Sequence, residues 1–352
     1  MKKLLFILSL VFILFFSLFL TGQANVDIYF LDVGQGDASL IISSTGEVVL
    51  IDSGPNTGLI LNHLESLNIN HIDLIIASHA HADHITGMDQ IIEKYNPRAF
   101  MDPGIPHTTR TYERMVDAIQ TNNVKYYEGT SRRLSLGPMR FTILPPAHPL
   151  ISVSELNNNS TVVRLDYQDF SCLFTGDIEG ERERNLYSKT ADFLDVNILK
   201  IPHHGSSSSS TKIFIKAVNP EIGIISCGED NSYGHPHVET LALLQEFGID
   251  TYRTDKNGTI LIQTDGKKYS IQTEKYAPRA PPIITEEKPT KTEEPAQKKT
   301  PTYNYAASRN SNVFHYIWCH YVNRIKSSNL ILFTTREQAI ASGRRPCKVC
   351  SP

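Results

Sequence analysis

The feature that most constrains the fold is a cluster of titratable side chains at the end of an apolar segment. Residues 72–77 read "IDLIIA", and residues 78–84 continue with "SHAHADH". Three histidines and one aspartate therefore fall within six residues, 79–84. Such groups beside a buried strand are unfavourable unless a partner compensates them, because burial penalises polar and charged side chains. We expect a fold that brings compensating ligands to this strand end.

The spacing within the cluster allows two sets of ligands. Alternate side chains of a strand point the same way, so His79 and His81 can turn toward one point. Asp83 and His84 follow where the chain bends into a helix predicted from near Thr86, and they can face a second point nearby. Imidazole and carboxylate together suit a transition metal such as zinc, manganese or iron. The pattern therefore predicts metal binding.

Further ligands stand at the ends of other predicted strands. Asp177 ends "CLFTGD", and a carboxylate there can bridge two cations, which lie about 3.5–4 Å apart in paired sites. His203 and His204 end "ILKIPHH", and Asp52 ends the strand before "SG". Asp52 is expected to accept a hydrogen bond from a ligating histidine and so orient it, without touching the metal. The alternative is that Asp52 is an ordinary turn residue.

Strand-like and helix-like runs alternate from residue 26 to residue 275. The runs "VDIYFLDV", "MRFTILPP" and "EIGIISCG" predict strands, whereas "GLILNHLESLN" and "VETLALLQEFG" predict helices. Asn257-Gly258 predicts a terminal hairpin, because Asn-Gly favours tight turns. Early and late segments are hairpin-like and the middle ones β-α-β, so we expect an α/β fold with two sheets and helices outside them, an αββα sandwich.

The order of these motifs resembles a known family. The runs "SHAHADH", "FTGD" and "PHHGS" resemble the metallo-β-lactamase fold superfamily, with its His-x-His-x-Asp-His signature. More narrowly, "FLDVGQGDASLI", "KIPHHGSSSS" and "YRTDKNGTI" resemble the hydrolase domain of the competence proteins of DNA-uptake channels. The resemblance covers about residues 26–273. It implies an αββα sandwich of the metallo-β-lactamase type, with one or two divalent metals, zinc or manganese.

The resemblance also implies a set of metal ligands. These are His79, His81, Asp83, His84, Asp177 and His204. The first two would hold one metal and the next two the other, while the aspartate at 177 bridges them. His204 aligns with the remaining ligand of the second metal, and His203 would then face the substrate. The reverse assignment of this histidine pair stays open.

One segment departs from the family pattern. Many members supply a third histidine to the first metal from the segment before "TGD", but residues 157–160 here read "NNNS". An asparagine oxygen or a water would take that position. We predict that Asn159 lies beside the metal ligands and supports them. The first metal is then held less tightly, so a mononuclear enzyme is an alternative.

Other residues are expected at the site in supporting or catalytic roles. His235, in "SYGHPH", could act as a general acid for the leaving group or as an alternative ligand, with a surface turn as the plainer interpretation. Asp37, in "GQGD", would lie near the metals, unless the two glycines simply make a tight turn. Asp83 and His203 are the other catalytic candidates.

The expected reaction follows from these groups and from the resemblance. A metal-activated hydroxide supplies a nucleophile at neutral pH. Aspartate at the bridging position, where lactamases of this fold place cysteine, favours phosphoesters, and the competence resemblance implies a phosphodiesterase or nuclease acting on DNA. The alternatives are a phosphoester hydrolase acting on cell-envelope polymers and a non-catalytic, metal-bound binding protein.

Residues 1–24 predict a signal peptide or an N-terminal membrane anchor. Two lysines precede an apolar run over residues 4–20, and Gly22 and Ala24 fit the −3 and −1 positions of a cleavage site. The run is slightly shorter than the roughly 20 residues of a spanning helix, and a buried core helix is a third interpretation. We expect an extracytoplasmic protein, secreted or anchored to the membrane by this segment.

The remainder of the chain predicts a linker and a second module. Residues 277–301 are dominated by proline, glutamate, lysine and threonine, a composition typical of disordered linkers. Residues 303–352 are expected to form a small zinc-binding α/β module. Its ligands for one structural zinc are His315, Cys319, Cys347 and Cys350. His320 could replace the first of them, and a disulfide among the cysteines is the alternative.

The end of this module resembles the Ada-type zinc-binding domain, on the residues "TTREQAIASGRRPCKVCSP". That family uses four cysteines and touches DNA backbone, which implies DNA as a partner. A formal net charge of −3 argues against attraction of the whole chain to nucleic acid, so binding would rely on a local basic set. That set comprises Arg324, Lys326, Arg336, Arg344, Arg345 and Lys348. Nothing in the sequence indicates a protein partner.

Overall fold

The computed structural model describes residues 25–275, 305–316, 322, 325 and 329–347. The chain divides into two compact units, Met1–Thr285 and Glu286–Pro352. The N-terminal segment and the linker predicted from sequence lie outside the described residues. Within the described part, no helix combines the length and apolar character needed to span a bilayer.

Two sheets make up the larger unit. Its strands are β1 Val26–Phe30, β2 Ser39–Ser43, β3 Val48–Ile51, β4 Leu74–Ile76, β5 Ala99–Asp102, β6 Lys125–Glu128, β7 Arg132–Leu136, β8 Met139–Leu144, β9 Val162–Tyr167, β10 Phe170–Phe174, β11 Ile198–Lys200, β12 Ile222–Ile225, β13 Asp250–Arg253, β14 Ile260–Thr264 and β15 Tyr269–Thr273. The first sheet has the order β15-β14-β1-β2-β3-β4-β5-β6, and the second has the order β13-β12-β11-β10-β9-β8-β7.

Each sheet is antiparallel in one half and parallel in the other. Strands β15, β14, β1, β2 and β3 pair antiparallel, and β3 to β6 pair parallel. In the second sheet β7 to β10 are antiparallel and β10 to β13 are parallel. Parallel neighbours need a crossover, usually a helix, whereas antiparallel neighbours can be joined by tight turns. The mixture of hairpin-like and β-α-β segments is thereby explained.

Helices lie between the strands, and most of them connect parallel neighbours. They are α1 Thr57–Ser66, α2 Ala82–Ile85, α3 Met88–Tyr95, α4 Arg110–Thr121, α5 Glu155–Asn158, α6 Gly180–Thr190, α7 Lys212–Val218, α8 Val238–Glu246 and α9 Thr254–Asn257. Asn56, Thr109 and Thr211 cap α1, α4 and α7 by accepting a hydrogen bond from a backbone N–H of the first turn. Such caps satisfy amides that the helix itself leaves unpaired.

Three apolar layers hold the sandwich together. The central layer lies between the sheets and includes Phe30 of the first and Phe141 of the second, both fully buried. A second layer packs α1, α3 and α4 on the outer face of the first sheet, and a third packs α6, α7 and α8 on the second sheet. The αββα sandwich expected from the sequence is confirmed. The thiols of Cys172 and Cys227 are buried in these layers.

The hairpin predicted at Asn257-Gly258 is wrong. Strand β13 pairs with β12 in the second sheet, and β14 pairs with β1 in the first. Between them, α9 carries the chain from one sheet to the other, with Gly258 at a positive φ of 65°. The hairpin follows instead between β14 and β15. The Asn-Gly preference for a tight turn is local, and it does not specify which strands the turn joins.

The smaller unit contains a four-stranded sheet and one helix among its described residues. Its strands are β16 Tyr305–Ser308, β17 Val313–Tyr316, β18 Leu330–Phe333 and β19 Arg345–Pro346, in the order β18-β16-β17-β19. Helix α10 spans Arg336–Ala341 and begins with a capping box formed by Thr335 and Gln338. Ala307, Phe314 and Ala339 are buried together in its core.

Candidate metal centre

The candidate site lies at the carboxyl ends of neighbouring strands in both sheets. Asp52 follows β3, and the segment 78–84 follows β4, its parallel neighbour. Asp177 follows β10, and His203 and His204 follow β11, its parallel neighbour in the other sheet. Parallel strands end on the same edge of a sheet, so packing the two sheets face to face brings all four loops together.

Asp177 lies at the centre of the histidines. Its Oδ2 atom is 3.2 Å from Nε2 of His84, 3.4 Å from Nε2 of His204, 3.9 Å from Nε2 of His203 and 4.0 Å from Nε2 of His79. The carboxylate is buried. One oxygen atom thus faces imidazoles from two segments that lie more than a hundred residues apart in the chain.

Four side chains form a compact group of possible ligands. Asp83, His84, Asp177 and His204 each offer one atom, and these atoms all lie within 4.8 Å of one another. Oδ2 of Asp83 is 3.3 Å from Nε2 of His204. These are the four residues that the family resemblance assigns to the second metal.

Unpaired polar atoms in this group indicate a missing partner. The buried atoms Nε2 of His84, Nε2 of His204 and Oδ1 of Asp177 make no hydrogen bond within the described protein. Leaving a buried polar atom unsatisfied costs about 1–3 kcal/mol. Imidazole nitrogens and carboxylate oxygens are ligands of divalent zinc and manganese, so the residues present fit such a cation.

His79 and His81 form a second, adjacent pair. Nε2 of His79 lies 2.8 Å from Nδ1 of His81, so the two rings turn their nitrogens toward a common point. His79 is buried and His81 is only partly so. With Asp177 4.0 Å from His79, this pair lies where the sequence predicts the first metal.

Asn157, and not Asn159, lines the cleft beside this pair. The amide of Asn159 donates to the carbonyls of Ile151 and Glu155 and accepts from the Ile151 amide, so it serves its own loop. The Oδ1 atom of Asn157 is buried and accepts no hydrogen bond within the described protein. The structure therefore corrects the placement of Asn159 around the site. The run of three asparagines did not reveal which one faces inward.

Asp52 holds His84 from behind. Its carboxylate accepts hydrogen bonds from the amide and hydroxyl of Ser78, each at 2.7 Å, and from Nδ1 of His84 at 2.9 Å. Burial opposes charge on His84, but the carboxylates of Asp177, Asp52 and Asp83 outweigh it and raise the pKa of this imidazole well above its usual range. A bound cation would take the place of that proton.

Asp37 and Lys200 support His204 in a similar way. Nδ1 of His204 lies 2.9 Å from the carbonyl oxygen of Ser226 and 3.2 Å from Oδ1 of Asp37. Nζ of Lys200 lies 2.6 Å from the other oxygen of Asp37. The sequence interpretation did not consider Lys200. The sequence feature that could have revealed it is a lysine inside the otherwise apolar run "ILKIP".

Backbone geometry places these loops in close contact. A Cβ atom on Gly36 would lie 2.2 Å from the carbonyl oxygen of Asp83, so only glycine fits there. The Asp37 amide donates to that same carbonyl at 3.1 Å. His203 and His204 both have positive φ, at 50° and 53°. Non-glycine residues in this region are strained, and such strain clusters at functional sites.

A cleft of about 270 Å³ opens over the centre. Its lining residues are Gln35, His81, Ala82, Asp83, Asn157, Asp177, His203, His204, Tyr233 and His235. His203 is partly exposed there, and its Nδ1 atom lies 3.2 Å from the Ser208 hydroxyl. His204 is buried with its Nε2 atom toward the carboxylates, which favours it as the ligand of the pair.

His235 lines the cleft as a neutral imidazole. Burial and the neighbouring His204, His203 and His237 lower the pKa of this ring to about 4. At pH 7 it carries no surplus proton, which fits a hydrogen-bonding role better than that of a general acid. His237 accepts from the Ser207 amide at 2.9 Å and so stabilises a turn.

In the smaller unit, two of the four predicted zinc ligands can be described. His315 lies on β17, and Cys347 directly follows β19, which pairs with β17 in parallel. The Cys347 amide donates to the Phe314 carbonyl at 2.9 Å, so the two residues stand on adjacent strands. Cys319 and Cys350 lie outside the described residues, and the zinc site stays a prediction.

Comparisons with known proteins agree with this architecture. The family model described as "Metallo-beta-lactamase superfamily" matches residues 31–229. ComE operon protein 3 of Bacillus subtilis is 28% identical over 72% of this chain and 34% of its own length. Recombination protein 2 of Haemophilus influenzae is 27% identical over 69% of this chain and 29% of its own length. The chain thus spans about a third of the length of these curated relatives.

Solved structures of similar architecture include the metallo-beta-lactamase fold protein YhfI from Bacillus subtilis. It is 13% identical to this chain, with a TM-score of 0.46 over 68% of this chain and 99% of that protein.

Proposed function

Since this chain belongs to the metallo-beta-lactamase superfamily, whose members are metal-dependent hydrolases, we propose that it is a metal-dependent phosphodiesterase that hydrolyses DNA. The observation that carries the proposal is the position of Asp177, with one carboxylate oxygen within 4.0 Å of four histidine nitrogens. A carboxylate in this position is suited to bridging two cations over a phosphate.

The ligand assignment is part of the proposal. Asp83, His84, Asp177 and His204 would hold one metal, zinc or manganese, and their mutual distances support this set. His79 and His81 would hold the other together with Asp177. When bound, such cations lower the pKa of a coordinated water and offset charge on a phosphoryl oxygen.

The other residues act on the ligands or on the substrate. Asp52 orients His84 so that its Nε2 atom faces the centre, and Asp37 and Ser226 orient His204 in the same sense. Hydrogen bonds of this kind fix the tautomer and direction of a ligating histidine. His203 and His235 line the cleft and would contact the phosphate or the leaving group.

DNA is proposed as the substrate because of the named relatives. One is called a recombination protein, and another, from Neisseria gonorrhoeae, is called competence protein ComA.

We further propose that the protein acts outside the cytoplasm. The smaller unit would hold nucleic acid through basic residues, with a structural zinc bound by His315, Cys319, Cys347 and Cys350.

The proposal is tested with the purified full chain, manganese or zinc, and a labelled single-stranded oligonucleotide. We expect metal-dependent cleavage by the wild type, and no cleavage after Asp177→Asn. Asp89→Asn is the matched control, because Asp89 pairs with Arg114 and does not line the cleft, so this change should leave cleavage intact.

Two outcomes would contradict the proposal. Release of phosphate from cell-envelope polymers without cleavage of DNA would favour a hydrolase of envelope phosphoesters. Binding of the oligonucleotide without hydrolysis under any metal, unchanged by Asp177→Asn, would favour a non-catalytic binding protein.

A further inference from the structure

Tyr233 presents an aromatic ring at the mouth of the cleft. It lines the same cleft as Asp83 and Asp177, yet 65% of its surface is exposed. A single exposed aromatic residue is ordinary on a protein surface. Its position next to candidate metal ligands is what distinguishes this one.

A row of rings connects Tyr233 with the metal centre. Tyr233 stacks on His235, with ring centroids 5.6 Å apart and an interplanar angle of 19°. His235 in turn lies 5.5 Å from the ring of His203 and 6.1 Å from that of His204. A group resting on Tyr233 is therefore separated from a ligand histidine by one intervening ring.

The loop that carries Tyr233 is held in place by its own hydrogen bonds. The Asn231 amide donates to the carbonyls of Gly228 and His235, at 2.9 and 2.6 Å, and accepts from the His235 amide at 3.0 Å. Gln35 accepts from the Gly228 amide at 3.0 Å, which ties the loop to the opposite wall of the cleft. The ring is thus positioned before any substrate arrives, so less ordering entropy opposes binding.

We infer that Tyr233 is a stacking platform for an unpaired nucleobase adjacent to the scissile phosphate. The inference rests on the proposed function, because the phosphate must lie at the metal centre. Aromatic side chains stack on bases without regard to sequence, since every base has a π-face. In a duplex both faces of a base are covered by its neighbours, so the base must leave the stack to reach the ring. The preferred substrate is therefore a single strand or a frayed end.

The size of the cleft supports the same conclusion. A volume of about 270 Å³ accommodates a nucleotide-sized group, not a duplex. Lining histidines and carboxylates surround the phosphate position, and Tyr233 is the exposed aromatic at its rim. Binding would then require a base at this position but would not depend on which base it is.

The experiment compares matched oligonucleotides on the full chain with manganese. One single strand carries 2-aminopurine beside the cleaved linkage, a second has an abasic position there, and a third is the first strand in a duplex. In rapid mixing, the wild type should quench 2-aminopurine fluorescence on binding. Tyr233→Ala should abolish the quench and raise KM for the base-bearing strand about five- to 150-fold, the range of one stacked base.

Control variants separate stacking from loss of structure. Tyr233→Trp should keep the quench and the low KM. Phe247→Ala removes another partly exposed aromatic residue that does not line the cleft, and it should behave as the wild type. The abasic strand should bind the wild type as weakly as the base-bearing strand binds Tyr233→Ala. Testing the abasic strand on Tyr233→Ala should raise KM little further, because both changes remove the same contact.

The outcomes distinguish the two proposals. Cleavage that is equally efficient with and without the base, and unaffected by Tyr233→Ala, would overturn the platform and leave the hydrolase intact. A quench that depends on Tyr233 without any hydrolysis would support the platform and overturn the hydrolase. Failure of the wild type to quench or bind the single strand would overturn the platform.

Discussion

The ammonium of Lys200 lies 2.6 Å from the carboxylate of Asp37, and both side chains are buried. Burial raises the pKa of Asp37, but Lys200 and His204 outweigh it and hold this pKa below its usual range. The aspartate can then stay ionised beside His204, whose Nδ1 atom lies 3.2 Å from its Oδ1 atom. The positive charge of Lys200 thus keeps Asp37 ionised, and the ionised carboxylate helps to orient the candidate ligand His204.

Removing one partner of this pair should be strongly destabilising. Lys200→Met leaves the Asp37 charge buried without its cation, which costs about 3–5 kcal/mol of unfolding free energy in comparable cases. The double variant Asp37→Asn, Lys200→Met should lose less than the two single changes together, because neither charge remains. Urea unfolding of the EDTA-treated protein measures all three.

Lys212→Met is the control for this pair. Lys212 and Glu246 form an ion pair at 2.8 Å, but both are exposed, so its loss should cost at most about 1 kcal/mol. Equal destabilisation by the two lysine substitutions would contradict the role of Lys200.

Asn157→His should strengthen binding at the first metal. The Oδ1 atom of Asn157 is buried in the cleft and accepts no hydrogen bond from the described residues, so an imidazole there would add a nitrogen ligand. We expect a gain in zinc affinity of about tenfold or more, the scale of changes around a metal site. Calorimetric titration of EDTA-treated protein measures it. Asn159→His should instead loosen its loop without this gain in affinity, since the side-chain amide of Asn159 donates hydrogen bonds to the carbonyls of Ile151 and Glu155.

Gly36→Ala should disturb the centre without changing any ligand. The added methyl group would lie 2.2 Å from the carbonyl oxygen of Asp83, a backbone atom that cannot rotate away. We expect destabilisation of about 1–3 kcal/mol and weaker metal binding, because the loop bearing Asp83 must move. Gly58→Ala is the control, since its Cβ would make only ordinary contact, 3.4 Å from Asn56. Thermal melts with and without metal would show unchanged metal stabilisation in Gly36→Ala if this explanation is mistaken.

Glu183 should make stability depend on pH. Burial raises the pKa of this carboxyl to about 7, although the amides of Ser210 and Thr211 donate to it. The unfolded value is 4.5, so folding favours the protonated form. Its contribution is fully present below pH 4.5 and is lost as the pH rises through about 7. At 1.36 kcal/mol per pKa unit the loss is about 3 kcal/mol.

Comparison with Glu183→Gln isolates this group from the other acids. The unfolding free energy of the wild type minus that of the variant should fall by about 3 kcal/mol between pH 4 and pH 8. The measurement uses EDTA-treated protein, so that proton release by metal ligands does not contribute. A constant difference across this range would show that Glu183 titrates normally.

Local patterns in the sequence predicted most of the strands and helices, and they predicted the cluster of candidate ligands in residues 79–84. The alternation of β-branched and amphipathic runs indicated the strands and helices, and the spacing of residues 79–84 placed four titratable groups after β4. These signals are readable because strand and helix periodicity and turn preference involve neighbours in the chain. The sequence interpretation did not include residues 98–138. The strands β5, β6 and β7 there are only four or five residues long, whereas helix α4 is clearly amphipathic and could have been predicted.

Long-range packing decided the rest. Only the meeting of the two sheets shows that Asp177 faces four histidines, that Asn157 and not Asn159 turns inward, and that Lys200 pairs with Asp37. The same packing sends the chain through Asn257-Gly258 from one sheet to the other. The amino-acid sequence by itself determined which groups are available and at which strand ends they stand. Tertiary structure decided which of them converge, because contacts between distant segments depend on how whole sheets pack and not on local preference.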